Sequence, residues 1–362
     1  MNRGSAEGRN RGLNPAFSVF SLLRASAIGP ENSQFFAMGF LDAGQGARPR
    51  GDVSSAIAVT SLPIARPRDS TAVCPAGFVL VRALVALTKP QLAAMSVLTA
   101  LVAYGAARPD PSTTLATVIG TSLAAAGALS LNQWWERRAD AVMRRTRSRP
   151  LPQAQIPPHV ALAWSLGLSV AGTGLLAWQV NLPAAVVAAL TILLYGVIYT
   201  PLKRHTRWAT EVGAISGALP PLLGNAAAGD LWAAPGTALA ALLLCWQMPH
   251  FFAIGWRHRA DYRAAGFRLL PALDLTGTRT AGWSVGYAAA LLPVSLAPWA
   301  LGHLGATYGV TAAVAGAAFF SCAWRFLSDA AQRDRAARRL FFASIIYLPV
   351  VIVALAVDRL VA

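Results

Sequence analysis

Charge is scarce in this chain. Of 362 residues only 13% are Asp, Glu, Lys or Arg, while 55% are hydrophobic and the mean hydropathy is +0.48. Soluble domains carry charge on about a quarter of their residues, so the balance excludes an ordinary soluble fold and assigns the chain to lipid. Cysteine is rare as well. Cys74, Cys245 and Cys322 lie far apart and form no CxxC pair, which excludes a disulfide framework and a cysteine-built zinc site. The five histidines, His159, His205, His250, His258 and His303, show no metal-ligand spacing such as HExxH, so a protein-ligated zinc centre is not expected. Acidic residues are few, 15 against 31 basic ones, for a formal net charge of +16. An excess of this size can mark a nucleic-acid binder. Here, however, the basic residues mostly avoid the apolar segments and gather in the connections between them, which is the pattern of membrane orientation; nucleic acid is not an expected partner.

Residues 1–77 are rich in Gly, Ser, Arg, Pro and Ala, contain no Lys or Trp, and keep no sustained period of 2 or 3.6. They are expected to be a largely disordered extension, or an over-extended gene start with Met38 as an alternative initiator. The apolar stretch 17–28 is short and broken by Arg24, a weak signal peptide, and Glu7, Glu31, Asp42 and Asp52 argue against a transit peptide. Residues 78–362 then form one membrane domain. Its apolar runs have near membrane-spanning length at 78–106, 112–135, 160–180, 183–199, 210–228, 231–252, 280–300, 305–326 and 340–357. Backbone groups inside a bilayer must be satisfied within the segment, so each run is expected to be helical. The fold class is therefore all-α, a polytopic bundle of about nine transmembrane helices.

The loops set the orientation. Arg137, Arg138, Arg144, Arg145, Arg147 and Arg149 follow the second span; Lys203, Arg204 and Arg207 follow the fourth; Arg257, Arg259, Arg263 and Arg268 follow the sixth; Arg333, Arg335, Arg338 and Arg339 follow the eighth. The alternate loops carry almost none, Arg108 being the exception. All four basic loops share one side, read as cytoplasmic, and the N-terminus lies there too. A bacterial inner membrane fits the high Ala and Arg usage better than a mitochondrial one.

Segment 131–150 is the most informative. Asn132, Glu136 and Asp140 recur every four residues, so at 100° per residue they drift by about 80° and share one helix face. Carboxylates at a membrane helix end are costly unless they meet a cation or water, and hard oxygens of this kind suit Mg²⁺, which binds through one or two carboxylates plus substrate phosphates. The competing reading is a solvated helix end whose acids pair with neighbouring arginines. Two further loops favour chemistry. Lys203 and Arg204 sit where they can grip a diphosphate, Arg as a bidentate fork and Lys as a point charge. In segment 247–266, His250 lies within a span and Asp261 just beyond it, and an intramembrane His is a functional candidate, although packing explains most lone cases.

The spacing NxxxExxxDxxMxRTxxRP, from Asn132 through Met143, Arg145 and Thr146 to Arg149 and Pro150, resembles the first signature of the UbiA superfamily of intramembrane prenyltransferases, and more narrowly its protoheme branch. Segments 87–90 (LTKP), 199–204 (YTPLKR), 217–224 (GALPPLLG), 249–251 (PHF) and 261–266 (DYRAAG) extend the likeness from about Leu84 to the end. Ala209, Asn225 and the pair Arg268 and Leu269 depart from the family pattern. The resemblance implies a UbiA-like fold that transfers farnesyl from farnesyl diphosphate to a vinyl group of heme b, making heme O for heme-copper oxidases. It further implies Mg²⁺ on Asn132, Glu136 and Asp140, with Asp261 for a second ion. Lys203 is then catalytic, and Arg145, Arg149, Arg204 and Arg259 hold diphosphate. His250 ligates or orients the heme, the bilayer is a partner, and heme A synthase or oxidase-assembly proteins are candidate partners. Two rivals stand beside this. One is a prenyltransferase for a quinone-precursor or chlorophyll-type acceptor; the other is a transporter, although the charged groups gather at one face rather than at the midplane.

Overall fold

The computed structural model describes residues 77–107 and 110–361, all within the compact unit Pro67–Ala362. The expected N-terminal extension, Cys74 and Arg108 lie outside the described residues.

Twelve α-helices occur among the described residues, with no strand. They are α1 (Gly77–Leu87), α2 (Pro90–Ala106), α3 (Thr114–Asp140), α4 (Pro158–Gln179), α5 (Leu182–Ile192, prolonged by a π-helical stretch Leu193–Tyr199 and a last turn Thr200–Leu202), α6 (Ala209–Ala227), α7 (Ala234–Arg257), α8 (Arg259–Ala264), α9 (Leu270–Leu273), α10 (Thr278–Ala300), α11 (Ala306–Ser328) and α12 (Arg333–Val361). Seven helices among the described residues are long and apolar enough to cross a membrane, or eight if α1 and α2, bent by 45° to one another, count as one span. The helix missing from that set is α6, at the place of the fifth expected span. It carries Thr210, Glu211, Ser216, Pro220, Pro221 and Asn225 and is mostly buried by its neighbours, so its polarity faces protein rather than lipid.

The first span bends for a local reason. Pro90 disfavours the right-handed helical region at its predecessor, and Lys89 adopts a left-handed conformation with φ 45° and ψ 67° instead. A non-glycine residue held this way costs about 1–2 kcal/mol and persists because its surroundings hold it.

In lipid, helices gain little from hiding apolar surface and associate through close packing. The pairing of α3 with α4 illustrates this: a side chain at Gly172 would collide with the backbone of Ala124. On α6, Gly224 lies directly against the backbone of Ala100 on α2. Larger groups fill the second half of the bundle, where Phe319, Phe326, Leu340 and Tyr347 are buried between α7, α10, α11 and α12. The outward faces remain apolar, with Val170, Trp178, Val310 and Ile346 each more than 60% exposed. Apolar surface on that scale marks the part of the bundle that meets hydrocarbon.

The departures from the family pattern have structural roles. Asn225 is fully buried and staples the α6–α7 turn, donating to the carbonyls of Leu231 and Ala233 and accepting from Gly236 N. Ala209 is the buried first residue of α6, and Arg268 N donates to Lys203 O at 2.7 Å, tying two basic loops together.

Candidate active site

At the C-terminal end of α3, Asn132, Glu136 and Asp140 form one buried stripe, 2%, 7% and 1% exposed respectively. These oxygens do not point into water. Each meets a different partner from a different part of the chain. Asn132 Oδ1 accepts from Lys89 Nζ at 3.1 Å, and Asn132 Nδ2 donates to Thr200 Oγ1 at 3.0 Å. Glu136 Oε1 accepts from Lys203 Nζ at 2.6 Å, across 67 residues of sequence. Asp140 Oδ2 accepts from Arg149 Nη1 at 2.8 Å, and the loop is folded back for this purpose by Thr146 Oγ1 donating to Asp140 O. The other carboxylate oxygen, Asp140 Oδ1, is buried and has no hydrogen-bond partner.

The elements explain the convergence. Lys89 is delivered by the break between α1 and α2, and the end of α1 is fastened to α3 by Gln133 Nε2 donating to Leu87 O at 2.7 Å. Lys203 follows the widened turn of α5, where Thr200 Oγ1 donates to Tyr195 O five residues back. Its ammonium lies over the Tyr199 ring at 4.2 Å and near the Phe267 ring, an arrangement that favours a cation in a dry site. Burial disfavours the charged Lys203, but Glu136 and the two tyrosines outweigh it and hold its pKa above the ordinary lysine value. Three basic side chains from three parts of the chain thus surround the two carboxylates.

The remaining candidates occupy two neighbouring clusters. Arg145 and Asp261 both act electrostatically on His258, together with Arg257; burial, then the two arginines, hold this imidazole below its ordinary pKa against the opposing pull of Asp261. Arg204 is exposed beside Lys203. Arg259 has a partner of its own: Nη1 lies 3.0 Å from Asp334 Oδ1 and the guanidinium stacks 4.1 Å over Trp256, whose Nε1 donates to the same carboxylate. The loops after the second, fourth, sixth and eighth expected spans therefore meet at one end of the bundle. Among the described residues no three or more His, Cys, Asp or Glu side chains form a ready-made metal cluster.

His250 sits in the α7–α12 contact, stacked on Trp246 at 5.4 Å and on Phe341 at 5.1 Å. Its Nδ1 is 2.8 Å from Ser344 Oγ. That hydroxyl donates its single hydrogen to Phe341 O, so it accepts from His250 Nδ1–H and leaves the lone pair on Nε2.

The sequence reading assigned no role to Lys89 or Thr200. One signal was available: of 31 basic residues only Lys89 and Lys203 are lysines, and the fold brings both to the same three side chains.

A lipid-embedded helical bundle with buried acids and clustered cations at one rim is the framework of a membrane enzyme acting on a phosphorylated, lipid-tailed substrate. The chain belongs to the UbiA prenyltransferase family, whose model matches residues 93–346. It is 47% identical over 276 residues to a protein from Opitutus terrae named protoheme IX farnesyltransferase, covering 76% of this chain and 93% of that one. A protein of the same name from Solibacter usitatus is 39% identical, with 75% and 97% covered. Among solved structures, a digeranylgeranylglyceryl phosphate synthase superposes with a TM-score of 0.66 at 16% identity, covering 77% of this chain and 98% of that one. A UbiA homolog from Archaeoglobus fulgidus bound to GPP and Mg²⁺ gives 0.55 at 12% identity, covering 76% and 99%. At these identities the likeness shows the shared fold.

Proposed function

We propose that this chain transfers the farnesyl group of farnesyl diphosphate to a vinyl group of protoheme IX, with water completing the addition to give heme O. The reading places it in a bacterial inner membrane with the basic face cytoplasmic and residues 78–362 as the transferase domain. The observation that carries it is the stripe Asn132, Glu136 and Asp140 met by Lys89, Lys203 and Arg149, in a chain so similar to proteins named for this reaction.

The residues fit a divalent cation. They are hard oxygen donors, and Asp140 Oδ1 is a buried acceptor with nothing to accept. Asn132, Glu136 and Asp140 would hold Mg²⁺ together with the diphosphate, and Asp261 a second ion; the metal supplies neutralisation of the charge that develops on the leaving group. The protein's own part is electrostatic preorganisation. Lys203, Lys89 and Arg149 present fixed donors where the diphosphate charge grows as the allylic C–O bond breaks, and Arg145 and Arg204 approach from the loops. Arg259 contributes only by exchanging its Asp334 contact for phosphate. The rings of Tyr195 and Tyr199, 5.4 Å apart beside Lys203, shelter the allylic cation from premature water. His250, with its lone pair on Nε2, ligates the acceptor's iron.

Expression in a host that lacks heme O, followed by mass analysis of its extracted hemes, tests the reading. Appearance of a farnesylated porphyrin is expected. A prenylated product containing no porphyrin, or no product from a membrane-inserted chain, would reject it.

A further inference from the structure

Seven residues beyond His250 on α7 stands Arg257. Seven residues make 700°, nearly two full turns, so both side chains leave the same helix face about 10 Å apart along the axis. One ring joins them: Phe341 of α12 stacks on the His250 imidazole at 5.1 Å and lies 5.2 Å below the Arg257 guanidinium. The next ring, Phe342, packs edge-on against Phe341 at 5.5 Å and carries the Arg338 guanidinium 5.7 Å above it. Two guanidinium groups thus stand over adjacent aromatic rings at the basic end of the bundle. Among the described residues no carboxylate forms an ion pair with Arg257. Arg338 bears on Arg257 as a like charge, and a carboxylate bound at Arg257 offsets it.

We infer that Arg257 and Arg338 bind the two propionate carboxylates of the porphyrin acceptor while His250 Nε2 meets its iron. This rests on the heme reading above and adds an orientation to it. The one ring that touches both keeps the imidazole and the Arg257 guanidinium within the reach of a single porphyrin. The Phe341 and Phe342 rings supply an apolar floor between the two anchors. With the acid edge fixed at the water-facing rim, the vinyl-bearing edge points away from it, into the apolar interior where the prenyl tail must lie. The pair therefore sets which edge of a nearly flat molecule is offered to the allylic carbon.

The test uses the full-length protein in detergent or nanodiscs, with protoheme and its dimethyl ester as alternative acceptors. The unmutated protein is expected to bind and turn over the ester at least tenfold less well than the free acid, since charge-assisted hydrogen bonds to carboxylates are lost. Arg257→Gln with Arg338→Gln should raise the Kd for protoheme tenfold to a hundredfold, leave the KM for farnesyl diphosphate unchanged, and treat acid and ester alike. Arg257→Lys, which keeps the charge, should restore much of the discrimination and guards against a misfolded double variant. Equal use of acid and ester by the unmutated protein would overturn the propionate assignment while leaving heme farnesylation standing, as would discrimination that survives in the double variant. Failure of the unmutated protein to farnesylate any porphyrin would instead overturn the parent reading, and this inference with it.

Discussion

Lys203→Met is the most informative single perturbation of the site. It removes the ammonium that lies 2.6 Å from Glu136 and leaves a carboxylate, 7% exposed, without its bonded counterion. Breaking a buried pair by deleting one partner costs about 3–5 kcal/mol. Lys89, whose charge also acts on Glu136, brings the expected value toward the lower bound, about 3 kcal/mol. Glu136→Gln should cost less, because the ammonium keeps the Tyr199 ring at 4.2 Å and an amide oxygen to donate to. Adding Glu136→Gln to Lys203→Met removes the stranded charge, so the double variant should recover about 2 kcal/mol of the loss, a coupling typical of contacting charged residues. The assay is reversible unfolding of the purified protein in mixed micelles, run for all four members of the cycle. Turnover should stay abolished in all three variants, since stability returns without the diphosphate contacts. Additive stability changes, with no recovery in the double variant, would refute a direct buried pair.

Asp140→Asn should reduce turnover by at least about a hundredfold while the protein remains inserted and folded, because the change is electrostatic rather than steric; near-normal turnover measured with radiolabelled farnesyl diphosphate would contradict its assigned role. Chelation with EDTA should abolish product formation and added Mg²⁺ restore it, and unchanged turnover in EDTA would remove the metal from the scheme. His250→Ala should alter the visible spectrum obtained on titrating the protein with heme, whereas a spectrum matching the unmutated one would argue against ligation. Asp274 gives the pH prediction. Burial raises its pKa, but hydrogen bonds from Thr280, Gly277 and Thr276 outweigh this and hold it below the ordinary value of 3.8. Its stabilising contribution is therefore complete above about pH 4 and lost as pH falls through the lower folded-state value. Asp274→Ala should lose about 1–2 kcal/mol at neutral pH, with the gap from the unmutated protein narrowing toward pH 3; a gap that widens there would reverse the sign.

The helical bundle was legible because lipid forbids other backbone solutions and because long apolar runs announce themselves. The number of spans was legible approximately, nine apolar runs against seven or eight such helices among the described residues. The helix α6 hides its polar residues against protein, and no hydropathy pattern distinguishes that from a segment too polar for a membrane. The stripe on α3 was legible because a four-residue spacing maps directly onto one helix face. Lys89 was missed because it sits inside the first apolar run, and its partner Asn132 is 43 residues away. Arg259 lies near Asp261 in sequence, yet the fold gives it to Asp334, 75 residues on. Long-range pairings of this kind depend on which loops meet at the rim, and that is a property of helix packing.

The π-helical stretch Leu193–Tyr199 has a consequence for altering the chain. A π-turn accommodates one residue more than the α-helical path around it. Substitutions that made α5 wind regularly at unchanged length would swing everything downstream by about 100°, carrying the Lys203 ammonium away from Glu136. A tidier helix, easily the sturdier one in isolation, would thus be an inactive one, and a designer seeking a hardier protein should leave this irregular coil alone.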